Sequence, residues 1–328
     1  MRILLISNQT GDEKTVGNPI LQRMLRSLKK KSIVEEAHFA PFLKSSLWAS
    51  LREISRQSRC HDLVHVHFGG IYALLVWFFL LGARCPKLIT FHGTDIHARS
   101  IHTAKRKRDK LKIRLNQWAS FLCILLYSRP GFVAEELKGY VPRLLGRKMR
   151  KKSFVQPLGV DYSLFLPIEK TEAQKALNIT EKHPILFSDI SNTSVKRRDL
   201  AQAIVDRLPE YYSLLIMCGV TPEKVPLYIN ACDCLLLTSD EEGSPNIIRE
   251  CLALDKQVFS VDVGDAAKQL QGLTNSLIIS RDPDTAARQI VETLEKPYTD
   301  NTRETLRPRL DFDLLNEKTL QLYQDLLG

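Results

Sequence analysis

Two glutamates, Glu242 and Glu250, flank a Gly-Ser-Pro turn in the stretch SDEEGSPNIIRECLAL, which runs from Ser239 to Leu254. The preceding run CDCLLLTS has the length of a buried strand, and apolar residues recur at helical spacing after the turn. The pattern therefore predicts a strand, a turn and a helix, with Ser244 as the N-cap and Pro245 as the first helical residue.

This arrangement suits a ligand that carries both phosphate and hydroxyl groups. The start of a helix offers free N–H groups and a partial positive charge to a phosphate. Glu250 would lie about 7.5 Å along the helix axis from Pro245, at 1.5 Å per residue, and Glu242 on the other side of the helix start. Each carboxylate can accept hydrogen bonds from hydroxyls on its own side of a diphosphate, which is the order of groups in a sugar nucleotide. The alternative interpretation is that both glutamates are solvated charges near a favourable helix dipole.

The rest of the chain predicts two α/β domains that position this site. A chain of 328 residues is longer than a domain with one hydrophobic core usually is. Its composition, 44% hydrophobic and 26% charged residues, is typical of a folded protein. Apolar runs followed by a turn and a helical pattern recur without an internal repeat. The runs predicted as buried strands are RILLIS, LVHVHF, KLITFHG, PILFSD and YSLLIMCG. Proline and glycine punctuate Ser153–Pro167, so the domain junction is predicted there.

Charge is distributed unevenly between the two halves of the chain. Residues 1–152 contain 29 Lys and Arg against 10 Asp and Glu, a net charge of +19, whereas the remainder has a net charge of −9. The densest basic runs are Lys105–Arg114 and Arg143–Lys152. Such runs suit an anionic lipid surface, a nucleic acid or an acidic substrate. A merely solvated face explains one cluster better than it explains two in one domain.

Other features of the sequence exclude several classes of protein. The chain starts directly with a strand pattern, so no signal peptide is expected. The apolar stretches Ile71–Gly82 and Trp118–Tyr127 are shorter than the roughly 20 residues that span a bilayer, and the first is predicted to be a buried helix rather than a membrane wedge. The seven cysteines form no Cys-x-x-Cys pair and are interpreted as reduced core residues of a cytosolic protein. A zinc site among the histidines is a weak alternative, because no cysteine or carboxylate spacing accompanies them.

Over nearly its whole length the chain resembles the family-four retaining glycosyltransferases of the GT-B class, which build bacterial polysaccharides. The motifs VHVHFG and TFHGTDIH resemble the N-terminal domain of that family, and PLGVDYSLFLP its interdomain junction. The most specific match is the donor-binding region, VPLYINACDCLLLTSDEEGSPNIIRECLALDKQVFSVDVGD, because the paired glutamates stand in the same strand-turn-helix context. The resemblance implies a GT-B fold with two Rossmann-like α/β domains whose parallel sheets face a central cleft.

The resemblance also implies a role for each matching residue of the donor-binding region. Glu242 matches the glutamate that holds hydroxyls of the donor sugar, and Glu250 the one that binds the ribose diol. The turn facing sugar and phosphate matches the backbone of Gly243, Ser244, Pro245 and Asn246.

Further matches lie outside that region. Lys196 matches a lysine that neutralises the diphosphate, His92 a histidine on the sugar side of the cleft, and Gly17 a glycine near the phosphates. A fixed cation makes chemical sense there, because the leaving diphosphate develops negative charge. His65, His67 and His97 lie near His92 in the sequence, and they cannot all be catalytic.

Two departures from the family pattern concern the phosphates. The family usually has an arginine a few residues before the lysine, where this chain has Ser191, Asn192, Thr193 and Ser194. Either Arg197 or Arg198 substitutes for it, or the donor phosphate is held more weakly. The Asn8–Gly11 turn also lacks the usual glycine pair.

The resemblance thus implies a retaining, metal-independent glycosyltransferase of the hexosyltransferase type. It implies that residues 1–156 bind the acceptor, that residues 157–310 bind the nucleotide sugar, and that residues 311–328 form a helix that packs back across the junction. The expected acceptor is a hydroxyl of a glycan or lipid-linked saccharide, and no cofactor is expected beside the donor substrate. The expected location is cytoplasmic and peripheral, at an anionic inner membrane face, without nucleic acid. Alternatives are a nucleotide-sugar epimerase of similar fold and a non-catalytic basic scaffold that binds nucleic acid or an anionic surface.

Overall fold

The computed structural model describes residues 1–7, 19–41, 46–97, 106–150, 152–189 and 194–328. Gly17, the Asn8–Gly11 turn, Lys105 and residues 191–193 lie outside the described residues. The chain divides into two compact units. Unit 1 comprises Met1–Leu158 together with Asp313–Gly328, and unit 2 comprises Gly159–Phe312.

Unit 1 is built on a parallel sheet with the strand order β2-β1-β3-β4-β5-β6. The strands are β1 (Arg2–Ser7), β2 (Glu36–Pro41), β3 (Leu63–His67), β4 (Lys87–Phe91), β5 (Arg129–Phe132) and β6 (Phe154–Val155). The helices are α1 (Pro19–Lys29), α2 (Leu47–Ser58), α3 (Ile71–Phe79), α4 (Lys107–Leu126) and α5 (Arg143–Arg150), with a 3-10 helix at Glu135–Tyr140. Strands β1 and β3 are buried almost throughout, as expected for parallel strands covered on both faces.

Unit 2 has a second parallel sheet, with the order β11-β10-β9-β7-β8. Its strands are β7 (His183–Ser188), β8 (Tyr212–Met217), β9 (Cys234–Leu237), β10 (Gln257–Ser260) and β11 (Leu277–Ile278). Its helices are α6 (Lys170–Leu177), α7 (Arg198–Val205), α8 (Val225–Ala231), α9 (Asn246–Leu252), α10 (Ala266–Gln269), α11 (Pro283–Leu294) and α12 (Thr302–Leu310), with a 3-10 helix at Ser194–Lys196. The prediction of two α/β domains with parallel sheets is confirmed, and so are the five predicted strands.

The last helix, α13 (Phe312–Leu327), returns the chain to unit 1. The chain segments that leave and re-enter unit 1 run side by side within unit 2: Val160 N–H donates to the carbonyl of Leu310 at 2.7 Å, and Phe312 N–H donates to the carbonyl of Val160 at 2.9 Å. Gly159 is required at this crossing, because a Cβ there would lie 2.5 Å from the Cα of Phe312. Within unit 1, Ser27 Oγ donates to Asp313 at 2.6 Å.

The apolar stretches of unit 1 are only half buried. In α3, Ala73 and Val76 face the core, but Phe78 is 54% exposed. The expectation of a buried helix at Ile71–Gly82 therefore holds for one face only. Among the described residues, no helix is long and apolar enough to cross a membrane.

The expectation that the cysteines are core residues holds for four of the seven. All seven are free of disulfide bonds, and Cys123, Cys232, Cys234 and Cys251 are buried, whereas Cys85 is half-buried and Cys60 and Cys218 are exposed. Burial raises the pKa of the Cys232 thiol to about 12, so this side chain behaves as a neutral core residue.

Candidate functional site

In unit 2 the turns after three neighbouring strands meet at one edge of the sheet. Strand β9 pairs in parallel with β7 on one side and β10 on the other, so their carboxyl ends lie together. Ligands of open parallel sheets bind at this edge. The turn after β7 carries Lys196, and the turn after β9 carries Glu242.

Glu242 accepts two hydrogen bonds in a partly buried position. Lys196 Nζ donates to its Oε1 at 2.6 Å, and Ser239 Oγ donates to the same oxygen at 2.8 Å. The Glu242 side chain is 15% exposed and that of Lys196 is 23% exposed. A fixed carboxylate and a fixed ammonium group therefore stand side by side, each with part of its surface open to solvent. Such a pair can contact the hydroxyls and the phosphate of one ligand at the same time.

Close contacts to backbone groups hold the three turns together. Asp240 N–H donates to the carbonyl of Val195 at 2.9 Å, and Thr238 Oγ1 donates to the carbonyl of Lys196 at 3.0 Å. Gly264, after β10, has a φ of +60°, and a Cβ there would lie 2.7 Å from the carbonyl oxygen of Gly243. A side chain at position 264 would thus both strain the backbone and displace the glutamate turn.

A buried arginine organises the rest of the turn after β9. The Arg249 guanidinium donates to Ser244 Oγ and to Asn246 Oδ1, both at 2.8 Å. Ser244 Oγ in turn donates to Asp265 at 2.7 Å. Arg249 is 4% exposed, and burial lowers the pKa of its guanidinium. The buried Arg249 side chain therefore holds the predicted sugar-facing turn in place through hydrogen bonds. Sequence reasoning did not identify this role.

The predicted helix start is shifted by one residue. Helix α9 begins at Asn246, and Pro245 rather than Ser244 occupies the N-cap position, without a side-chain capping hydrogen bond. Ser244 does not cap because its hydroxyl is engaged by Arg249 and Asp265. Glu250 lies on α9 and is partly exposed.

The cations beside Lys196 pair with acidic side chains. Arg197 has a left-handed φ of 55° and donates to Asp199 at 2.9 Å and to Asp240 at 3.3 Å. Arg281, which follows β11, donates to Asp240 at 2.9 Å and to the carbonyl of Ser239 at 2.9 Å. Arg281 thus brings a second arginine to the turn after β9. No local sequence pattern indicates this arginine, because its position depends on the order of strands in the sheet.

In unit 1, His92 follows β4 and contacts a histidine of β3. His67 Nδ1 and His92 Nε2 lie 3.1 Å apart, so one ring donates and the other accepts. Burial lowers the pKa of His92 to about 3 and holds the pKa of His67 well below its usual value. Both rings are therefore neutral near pH 7, and His92 can act there as a hydrogen-bonding group rather than as a cation.

His65 belongs to a separate, fully buried network. Thr90 Oγ1 donates to Gln156 Oε1 at 3.2 Å, so the same hydroxyl oxygen accepts from His65 Nε2–H at 2.7 Å. His65 Nδ1 consequently accepts from the hydroxyl of Tyr323 on α13, at 2.6 Å. His65 is thus a satisfied core histidine, and its pKa is lowered to about 3 by burial.

Asp95 connects the loops after β3 and β4. Its carboxylate accepts backbone N–H groups from Gly69 at 2.7 Å, Gly93 at 2.8 Å and His92 at 3.0 Å. It is 6% exposed, and burial raises its pKa. Asp95 therefore positions the loop that carries His92, although sequence reasoning did not single it out.

The structure brings together Lys196, Glu242 and the Gly243–Asn246 turn in unit 2, with Arg197 beside them, and it places His92 in unit 1. Among the described residues, no three His, Cys, Asp or Glu side chains are grouped so as to hold a metal ion.

Comparison with known proteins identifies a relative among the glycosyltransferases. No family model matches the chain. TuaC of Bacillus subtilis (strain 168), named as a teichuronic acid biosynthesis glycosyltransferase, is 25% identical over 291 residues, which cover 80% of this chain and 70% of TuaC.

Several solved structures share the fold. HepE from Anabaena, solved with UDP and glucose, has a TM-score of 0.76 at 13% identity and covers 99% of this chain and 100% of its own. Sucrose-phosphate synthase from Thermosynechococcus elongatus has a TM-score of 0.75 at 12% identity, with 99% of each chain covered. A UDP-GlcNAc 2-epimerase from Neisseria meningitidis, solved with UDP-GlcNAc, is more distant, with a TM-score of 0.60 at 11% identity over 99% of this chain and 100% of its own. The chain therefore has the GT-B fold, and its similarity to TuaC supports glycosyltransferase function.

Proposed function

We propose that the protein is a retaining glycosyltransferase that moves a sugar from a nucleoside-diphosphate sugar to a hydroxyl of a glycan or lipid-linked saccharide. The observation that carries the proposal is the contact between Lys196 Nζ and Glu242 Oε1, 2.6 Å apart at the carboxyl edge of the unit 2 sheet. A phosphate-binding cation and a hydroxyl-binding carboxylate are both needed to hold a sugar diphosphate, and here two neighbouring turns supply them.

Each residue of the site has a defined task in this proposal. Glu242 accepts hydrogen bonds from hydroxyls of the donor sugar, and Glu250 accepts those of the ribose diol. The backbone of Gly243, Ser244, Pro245 and Asn246 faces sugar and phosphate. Lys196 moves from Glu242 toward the diphosphate when the donor binds, and Arg197 provides further positive charge. UDP is the nucleotide to test first, because HepE was solved with UDP and with UDP-glucose.

The proposed reaction needs neither a side-chain nucleophile nor a metal ion. The donor phosphate accepts the proton of the acceptor hydroxyl on the face of the sugar that it leaves, so the anomeric configuration is retained. Lys196 stabilises the charge that grows on the leaving diphosphate, which lowers the barrier by electrostatic preorganisation. His92, neutral at working pH, contributes a hydrogen bond on the sugar side.

The acceptor and the location form the last part of the proposal. Unit 1 binds the acceptor, and its basic character suits a lipid-carried saccharide at an anionic membrane surface. An anionic surface attracts a basic segment by about 1 kcal/mol per nearby Lys or Arg. The protein would then work at the inner membrane face as a peripheral protein of the cytoplasm, without nucleic acid as a partner.

A nucleotide-sugar epimerase is the second candidate, favoured by the fold that the chain shares with such an enzyme. The two candidates differ in their need for an acceptor, because an epimerase converts the sugar nucleotide alone.

The test begins with a screen of sugar nucleotides for thermal stabilisation, since a ligand at 100 times its dissociation constant adds about 2.7 kcal/mol. The stabilising donor is then incubated with and without saccharide acceptors, in the presence of EDTA, and the product anomer is determined by NMR. Acceptor-dependent transfer with retention supports the proposal. Turnover of the sugar nucleotide without acceptor would favour the epimerase. A product with inverted anomeric configuration would refute the retaining mechanism. Loss of activity in the presence of EDTA would refute metal independence. Salt-sensitive binding of nucleic acid, unaffected by every sugar nucleotide, would favour a non-catalytic scaffold.

A further inference from the structure

Helix α4 carries a row of large apolar side chains on the surface of unit 1. Five of them are about half exposed or more: Leu111 at 58%, Leu115 at 49%, Trp118 at 63%, Leu122 at 48% and Leu125 at 53%. Their spacing of four, three, four and three residues places them on one face of the helix. The row, called here the α4 stripe, is about 21 Å long at 1.5 Å per residue.

The α4 stripe is not the side of the helix that packs on the core. Ala119, Ser120, Cys123 and Ile124 fill that role and are buried. The C-terminal half of α4 is therefore apolar on two sides, whereas a surface helix needs only one. An exposed apolar surface of this extent marks an interaction site in a folded protein.

The neighbouring helix α3 also carries exposed apolar side chains. It packs beside α4, where Ile71 N–H donates to Asn116 Oδ1 at 3.1 Å. Ile71 is 45% exposed, and Phe78, two turns further along α3, is 54% exposed.

The charges around the α4 stripe indicate which kind of partner this surface binds. The first two turns of α4 contain five exposed cations, Lys107, Arg108, Lys110, Lys112 and Arg114. Asp109 is the single acidic residue in the sequence of this helix. Leucines beside a cluster of Lys and Arg, with a tryptophan between them, match the requirements of a helix that lies in the plane of an anionic bilayer surface. A nucleic acid would use the cations but leave the leucines exposed to water, because single strands bind by stacking on aromatic side chains.

We propose that the α4 stripe inserts into the headgroup layer of an anionic lipid bilayer, with the cations of the first two turns on the lipid phosphates. The inference rests on the membrane-surface acceptor of the proposed function and deepens it, because it replaces general electrostatic attraction by a defined apolar contact. It also distinguishes between the two basic runs, since α4 and not α5 carries the row of leucines.

The test compares vesicle binding of two variants with that of the wild-type protein. Leu111→Gln, Leu115→Gln and Leu122→Gln are combined in a triple variant, because glutamine keeps the helix propensity while removing apolar surface. Leu144→Gln on α5 is the matched control, since Leu144 is 97% exposed within the other basic run. Binding is measured by sedimentation with phosphatidylcholine vesicles that contain or lack phosphatidylglycerol, at low and at high salt. Thermal unfolding shows that each variant is folded.

We expect wild-type protein to bind the anionic vesicles, and to stay partly bound at a salt concentration that screens surface charge. The triple variant should bind at least tenfold more weakly, and Leu144→Gln should bind like wild type. The proposal would be overturned if the triple variant bound the vesicles as well as wild type does. It would also be overturned if salt released the wild-type protein completely, or if the wild-type protein did not bind vesicles at all. A wild-type dimer that the triple variant converts to a monomer, without vesicle binding, would also overturn it in favour of a second copy of the chain.

Donor binding in solution separates this inference from the proposed function. Thermal stabilisation by a sugar nucleotide should be the same in the wild type and the triple variant, because the stripe lies in unit 1. Normal donor binding without vesicle binding would refute the membrane contact alone. Vesicle binding without donor binding would refute the proposed function alone.

Discussion

Lowering the pH from 7 to 5 should destabilise unit 1 by about 2 kcal/mol through His65 alone. His65 is fully buried, accepts from the Tyr323 hydroxyl and donates to Thr90. Both ring nitrogens are engaged in the neutral tautomer, so a proton added to Nδ1 would displace the hydrogen bond from Tyr323.

The sign follows from the direction of the pKa shift. The folded pKa of about 3 lies below the ordinary value of 6.5, so the unfolded chain binds the proton more readily between these values. Stability from this histidine is complete above about pH 6.5 and is lost as the pH falls toward 3. Within that window each pH unit costs about 1.36 kcal/mol, and the partial titration near 6.5 reduces the total between pH 7 and 5 to about 2 kcal/mol.

The distribution of tryptophans provides a selective assay. All three, Trp48, Trp77 and Trp118, belong to unit 1, so tryptophan fluorescence during urea unfolding reports on that unit. We would compare the wild type with His65→Gln, whose side chain cannot titrate. The free energy of unfolding of the variant should depend less on pH, by about 2 kcal/mol between pH 7 and 5.

Tyr323→Phe provides the control. It removes the hydroxyl that His65 Nδ1 accepts from, and should lower stability by about 1–3 kcal/mol at pH 7 while leaving a titratable histidine in place. Identical pH dependence in the wild type and His65→Gln would refute the reasoning, because His65 would then not be held neutral by its surroundings.

Four further predictions concern the proposed donor site. Glu250→Ala should weaken UDP binding by about 1.5–3 kcal/mol in calorimetry, with the exposed Glu223→Ala as control, and unchanged affinity would remove Glu250 from the ribose site. Lys196→Ala should lower kcat more than it weakens donor binding, because phosphate charge grows in the transition state, and normal turnover would exclude it from the mechanism. Gly264→Ala should weaken donor binding by displacing the carbonyl of Gly243, and the KM for the donor should therefore rise. An unaltered KM would show that the turn carrying Gly243 can move without impairing donor binding. Arg249→Met should reduce UDP affinity about tenfold, because Ser244 and Asn246 lose the hydrogen bonds that hold them in place, and Arg249→Lys should recover part of that affinity. Equal UDP affinity in the wild type and both variants would limit Arg249 to a packing role.

The fold could be predicted from the sequence because buried parallel strands are continuous apolar runs. Arg2–Ser7 was predicted to the residue, since each of its side chains from Ile3 to Ser7 is covered. Glu242 could also be singled out, because a glutamate that follows an apolar strand and precedes a helix must lie near the carboxyl edge of the sheet. Its proximity to Lys196 follows once β7 and β9 are neighbours.

The remaining parts of the site depend on contacts between distant segments. Arg281 reaches Asp240, 41 residues earlier, only because β11, β10 and β9 are neighbours in the sheet. Gly264 acquires its role from the backbone of another turn, which no local pattern reveals. The exposed face of α4 escaped prediction for a different reason. Its leucines have the spacing of core residues, and a sequence does not show which apolar face of a helix the rest of the domain covers.

The return of α13 to unit 1 sets an order for folding during synthesis. The partners in the hydrogen bond between His65 and Tyr323 are 258 residues apart, and all of unit 2 lies between them. A ribosome therefore completes the later, acidic unit before the earlier, basic one has its last helix. Because domains fold as units during translation, unit 2 can reach its native state first, while the unit 1 sheet still lacks the Tyr323 hydroxyl that donates to His65 Nδ1. A chain truncated just before residue 313 should thus contain a folded unit 2 and an incomplete unit 1.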